Sequence, residues 1–510
     1  MQHPIPPSNI SLPESQKHAK IRPITQSYLL QDTSQFRLTR LKKMSISYPK
    51  SSRFRKLSKN FWLVWQNESS YQPLTQFRKT LKAQKLLSQV LYLVFDPQCF
   101  EKWNRLFFPR VKSLSCLSSL KLDYLTSCNP EFFRSLFMGE ISLKKLKTFK
   151  FSLSFSQPQC RKNLPGCFKF FKRIRTLVNL SLTFRDYFEA PYHVLSNLKR
   201  CTQLRALEIE INGTDGLDHF VSCLASIFPK LYFLKKFSLS LTLSTRIQNS
   251  SLHQLFSSMQ NLKTLSSLRF QFSEGEYIEF HPNLCLEFVN PVQLQEFSFD
   301  VNFPFNKKKL IQFSQALKKL QSLKNLQLSF RQCNRFTQSA MLEFSTTLSS
   351  LVLIETLDLS FSSGDKNRPI VREITPALKS LQELVFFKLG LGQNIMSTYD
   401  DIEQLFTSLK YLKSLRSLVI VFPIKIGITD GALEILSQSL AQLVFLKSLR
   451  LSFKNTKSIT NHGKEVLTQA IQNLNELSSL VVSPRTLCQA DGNSISKIEK
   501  TMQNFPISLQ

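Results

Sequence analysis

Glycine is scarce in this chain, 12 among 510 residues. Loops that wrap bare backbone around a phosphate or a cofactor depend on glycine's steric freedom, so loops of that kind are not expected. No GxxxxGK[ST], GxGxxG or HExxH motif occurs, and no set of motifs like those of protein kinases. Acidic residues are few as well: 35 Asp and Glu face 67 Lys and Arg, for a formal charge of +32. Such a balance suggests anionic partners, although an AT-rich genome would supply much of the same lysine excess. The ten cysteines contain no CxxC pair, and the seven histidines show no ligand-like spacing. The cysteines read as small core residues of a reducing compartment. No apolar run approaches the roughly 18 residues of a membrane helix, and the opening MQHPIPPSNISLPESQK lacks the apolar core of a secretory signal.

What the chain does have is leucine and phenylalanine at a fixed period. Ile354-Leu357-Leu359-Phe361, Leu384-Phe387-Leu389-Leu391, Leu415-Leu418-Ile420-Phe422 and Leu446-Leu449-Leu451-Phe453 are four copies of one pattern. The lead residues, from Leu117 through Leu146, Leu177 and Leu204 to Leu477, number thirteen and stand 27 to 31 positions apart. A repeat of that length is the mark of a solenoid. Apolar residues three, five and mostly seven positions after each lead alternate with polar ones, which predicts a strand with one buried face. Ahead of most strands the spacing turns to three and four, as in Ile402-Leu405-Phe406-Leu409-Leu412, which predicts an amphipathic helix. Each unit is then strand, loop, helix and turn, and the expected fold is an α/β solenoid: a horseshoe with a parallel inner β-sheet and outer α-helices.

The domain organisation follows from where this period starts and stops. Residues 1–56 form a Pro-containing basic arm with no sustained apolar period, expected to be disordered. Through residue 60 it carries twelve Lys and Arg against Glu14 and Asp32. Leu41-Met44-Ile46-Tyr48 alternates within it like a strand. Residues 57–115 hold two weaker copies, Phe61-Leu63-Trp65 and Leu91-Leu93-Phe95, with helical spacing between them from Pro73 to Leu87, and read as degenerate opening repeats or a cap. Residues 116–484 hold about thirteen repeats. Residues 485–510 form a C-terminal cap or tail, with a short polar helix expected over Ser494–Phe505.

These residues resemble the leucine-rich repeats, whose pattern is L-x-x-L-x-L-x-x-N/C-x-L. Unit length and a full helix per unit are similar to the ribonuclease-inhibitor-like subclass, and the Lys- and Gln-rich flavour resembles divergent ciliate repeats. The resemblance implies a protein-binding scaffold and no catalytic residue. One departure stands out: the Asn or Cys expected eight positions after the lead is replaced by residues such as Arg331, Ser362, Gly392 and Pro423, with only Asn212 and Asn302 fitting. The loops must therefore be closed by other means or be wetter.

Two surfaces are candidates for function. The polar strand positions make a concave face of mixed sign, which includes Lys121, Lys150, Glu208, Glu210, Arg269, Asp300, Asp358, Lys388 and Arg450. Lys147, Arg205, Lys235, Lys324, Arg416 and Lys447 each directly follow a lead residue and should line up along one lateral edge. Asp215, Asp218, Asp400, Asp401 and Asp430 are expected in loops near helix starts, where capping accounts for them better than acid–base work. The stretches Phe303–Lys309 and Gly364–Pro369 are loops suited to contacts. The expected function is a non-catalytic protein-interaction scaffold. The alternative is RNA or another polyanion held by the arm and the lateral row. No metal, cofactor, small-molecule substrate or membrane span is expected. The expected location is cytoplasmic, with nucleus and mitochondrion left open.

Overall fold

Sixteen strands follow one another in chain order in one sheet, β1 to β16, each hydrogen-bonded to its sequence neighbours. The structure is a computed structural model. It describes residues 39–40, 61–64, 90–95, 118–125, 145–154 and 171, and then 174–189, 192–243, 247–273, 290, 292–303, 305–331, 336–362, 370–392, 397–423, 426–453 and 457–483. From β2 (Phe61–Val64) and β3 (Val90–Phe95) through β4 (Ser119–Leu125) to β16 (Ser479–Ser483), every pairing is parallel. The first strand, β1 (Thr39–Arg40), pairs antiparallel with β2. It lies inside the expected basic arm. The Leu41–Tyr48, Pro73–Leu87, Gly364–Pro369 and Ser494–Phe505 expectations lie outside the described residues.

The middle strands are β5 (Thr148–Ser154), β6 (Asn179–Glu189), β7 (Ala206–Asp215), β8 (Lys236–Leu243), β9 (Ser267–Ser273), β10 (Glu296–Asn302) and β11 (Asn325–Phe330). They are followed by β12 (Thr356–Phe361), β13 (Phe386–Leu391), β14 (Ser417–Phe422) and β15 (Ser448–Phe453). Helices connect the later strands: α1 (Tyr192–Leu198), α2 (Leu217–Ile227), α3 (Asn249–Ser258), α4 (Lys307–Leu317), α5 (Gln338–Ser350), α6 (Ile370–Leu378), α7 (Tyr399–Leu409), α8 (Asp430–Leu440) and α9 (Asn461–Gln472). Strands spaced about 4.8 Å apart and helices about 10 Å wide cannot stack in a straight rod, so the array curves with the sheet inside.

The register fixes the core. Leu357 pairs with Phe387 and Leu359 with Leu389; the same inward positions on β14 are Leu418, Ile420 and Phe422, all fully buried. Burying each such side chain contributes roughly 1.5–3 kcal/mol, and neighbouring units share the gain. Phenylalanines at the strand ends stack from unit to unit, Phe330 on Phe361 and Phe422 on Phe453, each with centroids 5.7 Å apart. Threonines start several helices. The Thr398 hydroxyl accepts from the Asp401 amide at 3.2 Å while the Asp401 carboxylate accepts from the Thr398 amide at 2.8 Å; Thr429 accepts from the Ala432 amide at 3.2 Å.

The positions that lack the loop asparagine are held by main-chain bonds. Where the strands end, the backbone ladder continues for one more residue: the amides of Arg331, Ser362 and Gly392 donate to the carbonyls of Val301, Phe330 and Phe361 at 2.9, 2.8 and 2.7 Å. Each strand end is thus tied to the preceding unit by its own main chain.

Candidate functional site

The concave face is built by the register alone. Positions Lys121, Lys150, Ser181 and Glu208 pair in succession across β4 to β7. Ser238, Arg269, Ser298, Gln327, Asp358, Lys388, Val419, Arg450 and Val481 continue the row to β16. Its middle is a polar chain. The Arg269 guanidinium donates to Ser298 Oγ at 3.3 Å and to Gln327 Oε1 at 3.0 Å. Gln327 Nε2 donates to Asp358 Oδ2 at 3.3 Å, and Lys388 Nζ donates to that same oxygen at 2.9 Å. Five strands are tied by side chains that would otherwise wave in solvent, so this surface is ordered before any partner arrives.

A shallow trough of about 540 Å³ runs over β7 to β13, with Glu208, Arg269, Gln327 and Asp358 in its lining. The second polar row lies beside it. Glu210 accepts from Thr183 Oγ1 and from Arg185 Nη2, each at 3.3 Å, and Asp300 takes both ends of the Arg331 guanidinium at 3.2 and 2.9 Å. Glu210 and Asp300 are therefore largely answered by their own neighbours. Glu208 and Arg450 are exposed, the latter between Val419 and Val481 on adjacent strands.

The lateral row is aligned by main-chain bonds. Lys147 accepts from the Val178 amide at 2.8 Å and Val178 from Arg205 at 2.7 Å. Arg205 accepts from the Lys235 amide and Arg416 from the Lys447 amide, both at 2.8 Å. All six cations are exposed, but they do not form one line. Val178 interrupts it, as do Ser266 with Gln295 and Glu355 with Val385. Lys324 Nζ is 2.6 Å from Glu355, and Lys447 Nζ is 3.9 Å from Glu476. Among the described residues Lys147, Arg205, Lys235 and Arg416 have no carboxylate partner. The row thus resolves into short stretches, of which Arg205–Lys235 is adjacent and unopposed.

The loop stretch Phe303–Lys309 is only partly available for contacts. Phe303 and Phe305 are buried in a cluster with Phe299, Phe330 and Phe336, and Asn306 caps α4 by accepting from the Lys309 amide at 3.0 Å. The carboxylates at helix starts bind backbone. Asp218 accepts from the Gln248 amide at 2.8 Å, and Asp430 from the Thr460 amide at 2.9 Å, each in the following unit. No group of three or more His, Cys, Asp and Glu among the described residues could hold a metal ion, and no described helix is long and apolar enough to cross a membrane.

The sequence reading overlooked one set of surface residues. Two positions precede each lead residue in the turn, and in three units both are large, apolar and exposed: Tyr232-Phe233, Val352-Leu353 and Val444-Phe445, all between 44% and 62% exposed. Their signal lay in the repeat frame itself, because the two positions before each lead residue never carry the apolar period.

No protein-family model matches the sequence, and no curated protein matches it. Among solved structures the chain is similar to one described as "Crystal structure of Rad7 and Elc1 complex in yeast", with 16% identity over 84% of this chain and 97% of that chain, and a TM-score of 0.41. The chain's own parallel ladder and its alternating helices are those of a leucine-rich-repeat-like α/β solenoid.

Proposed function

We propose that the protein is a non-catalytic scaffold that binds another protein on its concave face. The observation that carries this reading is the chain of hydrogen bonds from Arg269 through Gln327 and Asp358 to Lys388. A fixed surface of alternating sign can match a partner's own pattern of charges and reject others. A polyanion would meet Asp358 and Glu208 there as repulsion. The unit length and full helices relate the array to ribonuclease-inhibitor-like repeats, and its Lys- and Gln-rich flavour relates it to ciliate ones. The two described cysteines, Cys201 and Cys223, are free thiols, which is in keeping with a reducing, cytoplasmic setting. Copurification from the native source, followed by mass spectrometry, tests the reading. A partner retained by the wild type and lost from an Arg269→Glu, Asp358→Lys variant supports it; retention by both would sink it.

A second reading, in which the basic arm and the lateral row hold a polyanion, is favoured by one specific pair. Arg205 and Lys235 stand on adjacent turns with no carboxylate partner among the described residues. Binding to heparin that weakens steeply with salt would support this reading, and salt-insensitive or absent binding would dispose of it.

A further inference from the structure

Three successive turns on the lateral edge concentrate positive charge. The stretches 199–207, 228–238 and 260–267 contain seven Lys and Arg and no Asp or Glu. Arg200, Arg205, Lys230, Lys235 and Lys263 are all exposed. The turns are physically continuous: the Lys235 amide donates to the Arg205 carbonyl at 2.8 Å, and Thr264 Oγ1 donates to the Tyr232 carbonyl at 3.1 Å. Among the described residues one ion pair is formed there, Lys236 with Glu296 at 3.5 Å, and Glu208, the next residue after the first stretch, belongs to the concave row.

In the middle of this charge sit two exposed rings. Tyr232 is 49% exposed and Phe233 44%, with centroids 4.9 Å apart and planes inclined at 63°. The two rings leave apolar faces in water that a ligand's planar groups can cover. The other apolar turn pairs sit in different company: Leu353 is followed within the same turn by Glu355, and Phe445 lies one turn from Glu476. An aromatic pair with exposed cations on its own and the adjacent turns suits a ligand that offers flat π-faces and negative charge together.

The geometry points to a docking site for single-stranded RNA centred on Tyr232 and Phe233, with Arg205, Lys235 and their neighbours on the phosphates. This rests on the polyanion reading above and narrows it to one site and one ligand class. Unstacked bases stack on aromatic rings while Lys and Arg track the backbone. A duplex keeps its bases stacked inside and gains nothing from the rings. An acidic protein segment would gain from the cations but meets the rings only where it carries aromatic side chains of its own. RNA is chosen over DNA because Gln203, exposed on the neighbouring turn, carries an amide able both to donate to and accept from a 2′-hydroxyl.

The test is fluorescence anisotropy with a labelled oligouridine and the full chain, with circular dichroism as the check on folding. Tyr232→Ala, Phe233→Ala is expected to weaken binding by a factor of about 5 to 150 per stacked base lost, while Tyr232→Trp, Phe233→Trp preserves it. Arg205→Ala, Lys235→Ala is expected to lower the salt slope by about 0.7 for each phosphate contact removed. Val352→Ser, Leu353→Ser, on the acid-bearing part of the same edge, is expected to leave binding unchanged. Wild-type affinity in a folded Tyr232→Ala, Phe233→Ala variant overturns the site while leaving polyanion binding intact. Failure of the wild type to bind either oligouridine or heparin overturns the polyanion reading as well. Equal affinity for oligothymidine, for duplex RNA or for polyglutamate overturns the assignment to single-stranded RNA.

Discussion

Lys388 Nζ stands 2.9 Å from Asp358 Oδ2 across adjacent strands of the inner face, and the Asp358 side chain is only 13% exposed. Gln327 reaches that same oxygen from the other side at 3.3 Å. The pair is too sheltered to behave as a surface ion pair and too open, with Lys388 35% exposed, to count as a buried one. Removing Lys388 leaves a mostly shielded carboxylate with one neutral partner. Lys388→Met is therefore expected to destabilise the array by about 1–2 kcal/mol, between the values for exposed and buried pairs. Adding Asp358→Asn should recover part of that loss. Urea midpoints of the four proteins close the cycle, and a coupling of zero would mean that solvent screens the pair.

Gly392 shows how closely the units approach where the loop asparagine is missing. A Cβ added there would lie 2.6 Å from Ser362 Cβ and 2.8 Å from its Cα, the latter a backbone atom that cannot step aside. The amide of Gly392 is held at 2.7 Å by the Phe361 carbonyl, so the glycine cannot retreat either. Gly392→Ala is expected to cost about 1–3 kcal/mol, the usual range for overpacking. Gly431→Ala is the control, because its nearest neighbour to an added Cβ is a side-chain oxygen 3.9 Å away. Equal midpoints for the two variants would contradict the close approach.

Where periodicity was dense, the sequence could be read directly. Leu415, Leu418, Ile420 and Phe422 are all fully buried, and the helix expected around Ile402-Leu405-Leu409 is α7 with a Thr398 cap. Where the chain leaves the strand, the frame lost its grip. Phe303 and Phe305 read as loop residues, yet they pack in the core, because the return leg carries apolar residues at neither a strand nor a helix period. Two of the six lateral cations, Lys324 and Lys447, meet carboxylates of the next unit, which the spacing of the sequence does not reveal. Lys324 meets Glu355 at 2.6 Å from 31 residues away, a contact visible only when one unit is laid on the next. The apolar turn pairs were missed for a related reason: a search for buried leucine discards exposed positions.

Leu418 tests the register more severely. It is fully buried on β14 between Phe387 and Leu449. Leu418→Asp forces a charge into an apolar stack with no partner, at a cost of about 4 kcal/mol or more. Stability in such an array is close to a nearest-neighbour sum, so the damage should stay near β13 to β15. Hydrogen exchange is expected to show lost protection there and retained protection over β7 to β9. Loss across the whole array would mean longer-range cooperativity, and wild-type exchange would refute the register.

Cys201 gives a prediction in pH. Its side chain is fully buried, with Sγ donating weakly to the carbonyls of Ile174 and Phe171 at 3.6 and 3.8 Å. Burial pushes its thiol from 9.0 up to about 12. The thiolate is the reactive form, so Cys201 should resist iodoacetamide at pH 8 until the protein unfolds. Cys223, partly exposed, is also raised by burial, but nearby Lys199 opposes the shift, and it should alkylate first. Peptide mapping separates the two. The same shift sets a direction for stability: between pH 9 and about 12 the unfolded thiol loses its proton while the folded one keeps it. Fewer protons are then bound in the unfolded state, and stability falls as pH rises through that window, by at most about 1.4 kcal/mol per pH unit. Cys201→Ala should flatten that part of the pH profile, and an unchanged slope would mean that the thiol ionises in place.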